Sequence, residues 1–300
     1  MRILLQTFLM TSSLGLGLST AMQAQEPHYS DALFSVGLIA DCQYHKDPGE
    51  GVRKYAASPA KLQQCVDHFN TLPLEYVVHL GDFIDRDFES FQVVVPIYQQ
   101  LTMPQYHVLG NHDFSVADSL KNQVQATLGL TSRYYDLARK GWRFVILDGN
   151  DISLNAHPEG DPQYLASLAY HQQAGNPPKW NGAIGEAQLA WLRGVLEGAD
   201  RAGENVAVYC HFPVFPADSI HNLWNAEEIV AVLDDHSCVK AYINGHNHSG
   251  NYAKKDGIHY FNLKGMVDTD KTSYAIMHFY DDRLVVQGYG REQGRTMMIE

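Results

Sequence analysis

The chain is poor in positive charge and in cysteine, and after its first residues it has no apolar run long enough to span a membrane. Its 22 Lys and Arg are outnumbered by 34 Asp and Glu, giving a formal net charge of −12. Such an acidic chain offers no electrostatic footprint for a long polyanion, so nucleic acid is not an expected partner. A small phosphorylated ligand remains open, because bound divalent cations add local positive charge that a formal count omits. The four cysteines, Cys42, Cys65, Cys210 and Cys238, show no close pairing. Cys42 and Cys210 each stand beside a candidate ligand at the end of an apolar run, where alternation turns them to the opposite face. All four are expected as buried free thiols. The run from Ile3 to Leu18 is too short and too rich in Gly and Ser for a good membrane span.

With Arg2 as its only charge and Ser19-Thr20-Ala21 at the cleavage positions, that run reads as a signal peptide covering residues 1–21. A cut after Ala24 is the competing site; an uncleaved anchor or a buried first strand is the other reading. No twin arginine precedes the run and no lipid-accepting cysteine follows it. The expectation is export to the periplasm or beyond, with no stable membrane insertion after cleavage. Disulfides would then be chemically permitted. Residues 27–300 contain no long linker, low-complexity tract or repeat, and are expected to form one domain.

What the chain does have is a series of five polar clusters, each following an apolar run. They are Asp41-Cys42-Gln43, Gly81-Asp82, Gly110-Asn111-His112-Asp113, His211 and Gly245-His246-Asn247-His248. Hard divalent cations take carboxylate and amide oxygens, and borderline ones also accept imidazole. Asp41, Gln43, Asp82, Asn111, His211, His246 and His248 supply both kinds. Two cations about 3.5–4 Å apart can clamp a phosphoryl group. One carboxylate must then bridge them, and Asp82 has that place by motif order. His79 and His107 lie inside apolar runs and are expected in the core or in support of a ligand.

Apolar strand-like runs alternate with helical ones. Strands are expected over Phe34 to Ala40, Tyr76 to Leu80, Tyr106 to Leu109, Arg143 to Leu147, Val206 to Cys210 and Val239 to Asn244. Helices are expected from Ser58, as N-cap, to Asn70; from Glu89 to Leu101, broken or bent at Pro96; from Ser115, with Asp118 completing a capping box; from Gly185 to Asp200; and from Asn225 to Asp235. Asp148 to Gly182 is rich in Pro, Asn, Gly and His and reads as a long surface loop. The tail, Ile258 to Leu263, Tyr274 to Phe279 and Leu284 to Gly288, reads as successive antiparallel strands. This order implies one α/β domain on stacked sheets with helices outside. All five clusters fall at carboxyl ends of strands, where open α/β sheets bind ligands.

The ordered clusters resemble the calcineurin-like metallophosphoesterase superfamily. Within it, Asp41-x-Gln43 in place of the usual Asp-x-His is similar to the Mn-dependent ADP-ribose/CDP-alcohol diphosphatases. Ile39-Ala40-Asp41-Cys42-Gln43-Tyr44, Gly81-Asp82-Phe83-Ile84-Asp85, Trp180-Asn181-Gly182, His211-Phe212-Pro213-Val214-Phe215-Pro216 and Asn262-Leu263-Lys264-Gly265 carry the likeness further. It extends over most of residues 34 to 291. It implies a four-layer α/β/β/α sandwich with a dinuclear site at the strand ends. One metal would take Asp41, Gln43, Asp82 and His248, and the other Asp82, Asn111, His211 and His246. A hydroxide bridging them would attack one phosphorus of a small nucleoside diphosphate conjugate. The loop after Gln43, the stretch between His112 and Arg143, and the segment Ala217 to Asn222 depart from that family.

Gln43 gives its metal three oxygens and one nitrogen from the protein, which favours Mn²⁺ over Zn²⁺ or Fe. His112 is expected to donate to the leaving or a phosphoryl oxygen; a hydrogen bond to Asp82 or Asp113 is the other reading. Asp113 is expected to orient His112. Tyr44 has two readings, stacking on a base or packing, and Arg53 has two, reaching a distal phosphate or staying solvated. Trp180 and Asn181 are expected at the pocket rim, and Trp191 in the core. The enzyme alternatives on the same site are a phosphomonoesterase or a cyclic-nucleotide phosphodiesterase. A catalytically weak metal-binding scaffold is the alternative of another class.

Overall fold

The computed structural model describes residues 31–299, and Ala32–Glu300 forms one compact unit. The expected signal peptide lies outside the described residues. In chain order the elements are β1 (Phe34–Ile39), α1 (Ser58–Phe69), β2 (Tyr76–His79), α2 (Phe91–Tyr98), β3 (Gln105–His107), α3 (Val124–Thr127), β4 (Tyr135–Arg139) and β5 (Trp142–Ile146). There follow β6 (Ile152–Ser153), α4 (Pro162–Gln173), β7 (Gly182–Ala183), α5 (Glu186–Ala202), β8 (Asn205–Tyr209), α6 (Ala226–Asp234) and β9 (Val239–Asn244). The chain ends with β10 (Asn251–Lys255), β11 (Ile258–Asn262), β12 (Ser273–Phe279), β13 (Arg283–Gly290) and β14 (Arg295–Met298).

Two six-stranded sheets face each other, ordered β14-β13-β12-β1-β2-β3 and β10-β11-β9-β8-β5-β4. In the first, β1, β2 and β3 run parallel, and β12 returns antiparallel beside β1. In the second, β5, β8, β9 and β11 run parallel between antiparallel edges. The inner faces meet in one apolar cluster holding Val36, Leu38 and Val78 from one sheet and Phe144, Ala207 and Ile243 from the other. A buried hydrogen bond between the Tyr76 and Tyr209 hydroxyls, 2.9 Å, crosses that cluster. Outside the first sheet, α1 and α2 cover Ile39, Val77 and Ile276; outside the second, α5 and α6 cover Val145, Val208 and Tyr242. The four layers are therefore helix, sheet, sheet, helix. Strands covered on both faces read as nearly continuous apolar runs, which is why the sequence shows them so clearly.

Several local expectations are corrected. Ser58 is the first residue of α1, not its N-cap; Ala57 holds that position after a short 3₁₀ turn. Pro96 sits inside α2, whose Tyr98 hydroxyl donates to Val77 and Tyr106 carbonyls and pins the helix to β2 and β3. No helix begins at Ser115. Asp118 instead accepts from the Glu159 backbone and pairs with Lys121, and a 3₁₀ stretch, Asp118–Gln123, leads into the single turn of α3. The region read as a loop contains α4, started by an Asp161 N-cap accepting from Gln163 N–H at 2.8 Å. Asn225 is the N-cap residue of α6, but its side chain exchanges hydrogen bonds with the Ile184 backbone rather than capping the helix. The tail strands are divided between the sheets: β11 lies parallel to β9, while β12 and β13 are antiparallel. All four cysteines are buried and free. Trp191 is half-buried, its ring 4.9 Å from Tyr134.

Candidate metal centre

The carboxyl ends of β1, β2, β3, β8 and β9 converge at one edge of the facing sheets. The turns beyond β1 and β2 extend the ladder between those strands: Asp41 N–H donates to Gly81, Gln43 to Asp82 and Tyr44 to Phe83. A third segment joins through Met266 and Val267, whose N–H groups donate to the Ala40 and Asp41 carbonyls. Four of the seven candidate ligands adopt left-handed backbone: Asp41 at φ 51°, Gln43 at 45°, Asp82 at 55° and His246 at 69°. Such a conformation costs a non-glycine residue on the order of 1 kcal/mol or more, and clusters at functional sites. Gly110 permits close approach, since a Cβ there would lie 2.2 Å from the Asp82 backbone nitrogen.

Ligand-type atoms gather in two groups sharing Asp82. Asp82, His211 and His246 bring atoms within 4.8 Å of one another, and so do Asp41, Asp82 and His248. In the first group, His211 Nε2 lies 3.2 Å from Asn111 Oδ1, 3.2 Å from Asp82 Oδ2 and 3.1 Å from His246 Nδ1. In the second, His248 Nε2 is 3.4 Å from Asp41 Oδ1. Gln43 Oε1 is buried with no hydrogen-bond partner among the described residues, while its Nε2 donates to Asp85 Oδ1 at 3.0 Å. An orphaned buried amide oxygen is costly. A cation beside Asp41 and His248 would satisfy it, so the donor set fits two divalent ions.

Each histidine has its far ring nitrogen engaged. His211 Nδ1–H donates to the Leu80 carbonyl at 2.8 Å, His246 Nε2–H to Asn181 Oδ1 at 2.8 Å, and His248 Nδ1–H to Asp268 Oδ1 at 3.2 Å. These bonds set the tautomers and aim His211 Nε2, His246 Nδ1 and His248 Nε2 inward, as supporting groups around metal ligands do.

The electrostatics point the same way. Burial, with Asp82 nearby, pushes the Asp41 carboxyl up to about 7 against the pull of His211. Burial also acts to raise Asp82, but His211 and His112 outweigh it and hold Asp82 well below the ordinary carboxylate value. Burial opposes a charge on His211, yet Asp82, aided by Asp41, carries it up to about 9. Two buried carboxylates compete here for too little positive charge, which bound divalent cations would supply.

The remaining predicted residues fall around this centre. His112 N–H donates to Asp82 Oδ1 at 2.8 Å, and its Nδ1 to the Asp85 carbonyl at 2.9 Å, with the ring partly exposed. Asp113 does not orient His112. Its carboxylate accepts N–H groups from Asp82, Phe83, Ile84 and Gly110, clamping the β2 and β3 turns together. Arg53 is paired rather than solvated, donating to Asp268 at 2.6 Å. Tyr44 packs against the core beneath α1 and α2. Asn181 holds His246, and Trp180 is exposed. His79 and His107 are buried, and His79 Nε2 accepts from Cys42 N–H at 3.4 Å.

Two supporting residues escaped sequence reasoning. Asp85 lies in the quoted Gly81-to-Asp85 motif, yet nothing there announced that it joins Gln43 to His112. Asp268 has no motif of its own and meets His248 only through the fold.

Comparison with known proteins agrees with this geometry. The calcineurin-like phosphoesterase profile matches residues 34–250. The chain belongs to the calcineurin-like phosphoesterase family. It is 30% identical to the Bos taurus manganese-dependent ADP-ribose/CDP-alcohol diphosphatase, over 89% of this chain and 95% of that one. The Danio rerio protein of the same name is 31% identical over 89% and 98% of the two chains. A crystal structure of a dimetal phosphatase from Danio rerio superposes with a TM-score of 0.82 at 28% identity, covering 90% of this chain and all of that one. The fold is thus the metallophosphoesterase sandwich, and the chain is a dinuclear metal hydrolase of phosphate esters or anhydrides.

Proposed function

We propose that this phosphoesterase is a Mn²⁺-dependent diphosphatase that cleaves small nucleoside diphosphate conjugates of the ADP-ribose or CDP-alcohol type. The observation that carries the reading is Gln43, two residues after Asp41: its side-chain oxygen is buried and has no hydrogen-bond partner among the described residues, while its Nε2 is tied to Asp85. An amide oxygen there leaves that metal with mostly oxygen ligands, which favours Mn²⁺. The relatives bearing the diphosphatase name support the substrate class.

In this reading Asp41, Gln43, Asp82 and His248 would hold one cation, and Asp82, Asn111, His211 and His246 the other. When bound, the two cations polarise phosphoryl oxygens and activate the attacking water. Asp82 would serve both cations, and Asp113 holds its turn in place through four backbone N–H groups. His112 is anchored at Nδ1 by the Asp85 carbonyl, so its ring is pre-oriented with Nε2 left for substrate. That nitrogen is the one placed to donate a proton to the leaving oxygen as the phosphorus–oxygen bond breaks. The centre follows the topology, since it stands where parallel strands end.

A panel assay tests the proposal. Metal-stripped protein is reloaded with Mn²⁺ or Zn²⁺ and given ADP-ribose, CDP-glycerol, CDP-choline, a cyclic nucleotide and an aryl phosphate. Cleavage of a diphosphate conjugate, strongest with Mn²⁺, is expected. Turnover of the aryl phosphate or cyclic nucleotide alone would sink it in favour of a monoesterase or phosphodiesterase, and higher activity with Zn²⁺ would sink the metal argument. We also propose export. The mature N-terminus should then be Met22 or Gln25, as N-terminal sequencing of the exported protein would read.

A further inference from the structure

His221 stands over the candidate centre on the segment between β8 and α6, and no role above uses it. Its ring meets the His246 ring edge-on, with centroids 5.5 Å apart and planes at 85°. The side chain is partly exposed, yet its Nδ1 is buried and has no hydrogen-bond partner among the described residues. Arg53 and Asp41 lie close enough to act on its charge. His221 therefore packs edge-on against the His246 ring, partly exposed and within the field of Arg53.

The segment is held tightly. His221 N–H donates to Ser219 Oγ at 3.3 Å, Asn222 Nδ2 to the Pro216 carbonyl at 2.7 Å, and Leu223 N–H to the Pro213 carbonyl at 3.0 Å. Asn181 ties the same segment to the centre. Its Nδ2 donates to the Ile220 carbonyl at 2.8 Å while its Oδ1 accepts from His246. One amide thus fixes the segment bearing His221 relative to a metal ligand. A partly exposed imidazole on a segment held so firmly is pre-positioned for a contact with a ligand group.

Resting on the diphosphatase reading, we infer that His221 is a specificity residue that hydrogen-bonds the phosphoryl group not attacked by water, with Arg53 supplying charge from across the mouth. A diphosphate conjugate has two phosphoryl groups, and a dinuclear centre grips only the one undergoing attack. His112 lies by Asp82 and Asn111, on the first turns, whereas His221 lies by His246 on the other sheet. The two imidazoles thus approach from different sheets, so the second phosphoryl group meets a donor that a monoester never reaches.

The test uses the Mn²⁺-loaded enzyme and its His221→Ala and His221→Asn variants, with ADP-ribose and 4-nitrophenyl phosphate as substrates and bound metal measured alongside. His221→Ala should lower kcat/KM for ADP-ribose about 10- to 100-fold, the loss of one hydrogen bond to a charged group. Its activity on 4-nitrophenyl phosphate and its metal content should stay at wild-type levels, and His221→Asn should recover part of the loss. An equal loss on both substrates, a loss of bound metal, or no change at all overturns the assignment; the first two would mean that His221 merely props His246. A wild-type enzyme that ignores every diphosphate overturns the parent reading and this contact with it. An active wild type with an indifferent His221→Ala overturns the contact alone.

Discussion

Removing Asp268 should weaken one metal site and spare the other. Asp268 Oδ1 accepts from His248 Nδ1 at 3.2 Å and from Arg53 Nη1 at 2.6 Å. Asp268→Ala breaks both bonds and frees the His248 ring to turn. Loss of such a supporting carboxylate weakens a metal about 10- to 100-fold, or roughly 1.4–2.7 kcal/mol. Asp268→Asn keeps an acceptor oxygen and should fall between. The stability loss should be modest, about 1 kcal/mol, because the Arg53 partner is one-third exposed and solvent screens the pair. The hydrogen bonds that join His211 to Asn111 and His246, and His246 to Asn181, do not involve Asp268, so the second site should be untouched. Calorimetric titration of stripped protein with Mn²⁺ should show one equivalent at wild-type affinity and one weakened. Thermal unfolding confirms that the variant is folded. Two equivalents of wild-type affinity, or joint loss of both, would refute the assignment of His248 and Asp268 to a single site.

Further outcomes follow from particular contacts. Asp82→Ala should abolish hydrolysis in a protein that keeps its circular dichroism, because both ligand groups share this carboxylate; retained turnover would contradict the bridging role. Gly110→Ala should lose about 2 kcal/mol or more in denaturant unfolding and bind metal poorly, since the new Cβ would fall 2.2 Å from Asp82. Gln43→His should shift preference from Mn²⁺ toward Zn²⁺ in reconstitution assays with little change in melting temperature; an unchanged preference would count against the ligand-type argument. Burial depresses the pKa of His107 from its ordinary 6.5 to about 3. The unfolded chain then binds the proton first, so this stabilising contribution is complete above pH 6.5 and is lost as pH falls toward 3. His107→Phe, which keeps a ring among Phe83 and Tyr98, should flatten the stability-against-pH slope in that window by about 1.4 kcal/mol per unit. Parallel slopes for the two proteins would refute this.

The sequence by itself determined the order of the centre. Each candidate ligand follows an apolar strand, and a parallel strand buried on both faces leaves a run of Val, Leu and Ile that ends abruptly at polar residues. The strand starts, the positions of α5 and α6, and the free state of the cysteines were legible for the same reason. Helix α4 was not, because only Ser167 and His171 of its twelve residues are buried and it shows no apolar stripe. The tertiary structure alone decided which groups hold the ligands. Asp268 stands 20 residues from His248, Asn181 stands 65 from His246, and Asp85 stands 42 from Gln43. The supporting contacts join residues on separate turns, and no local pattern marks them. Asp113 shows the same limit, since beside His112 in sequence it turns instead toward the backbone of the turn that follows β2. Local patterning sets what a strand end offers, but only the packing of five strand ends at one edge sets which offered groups meet.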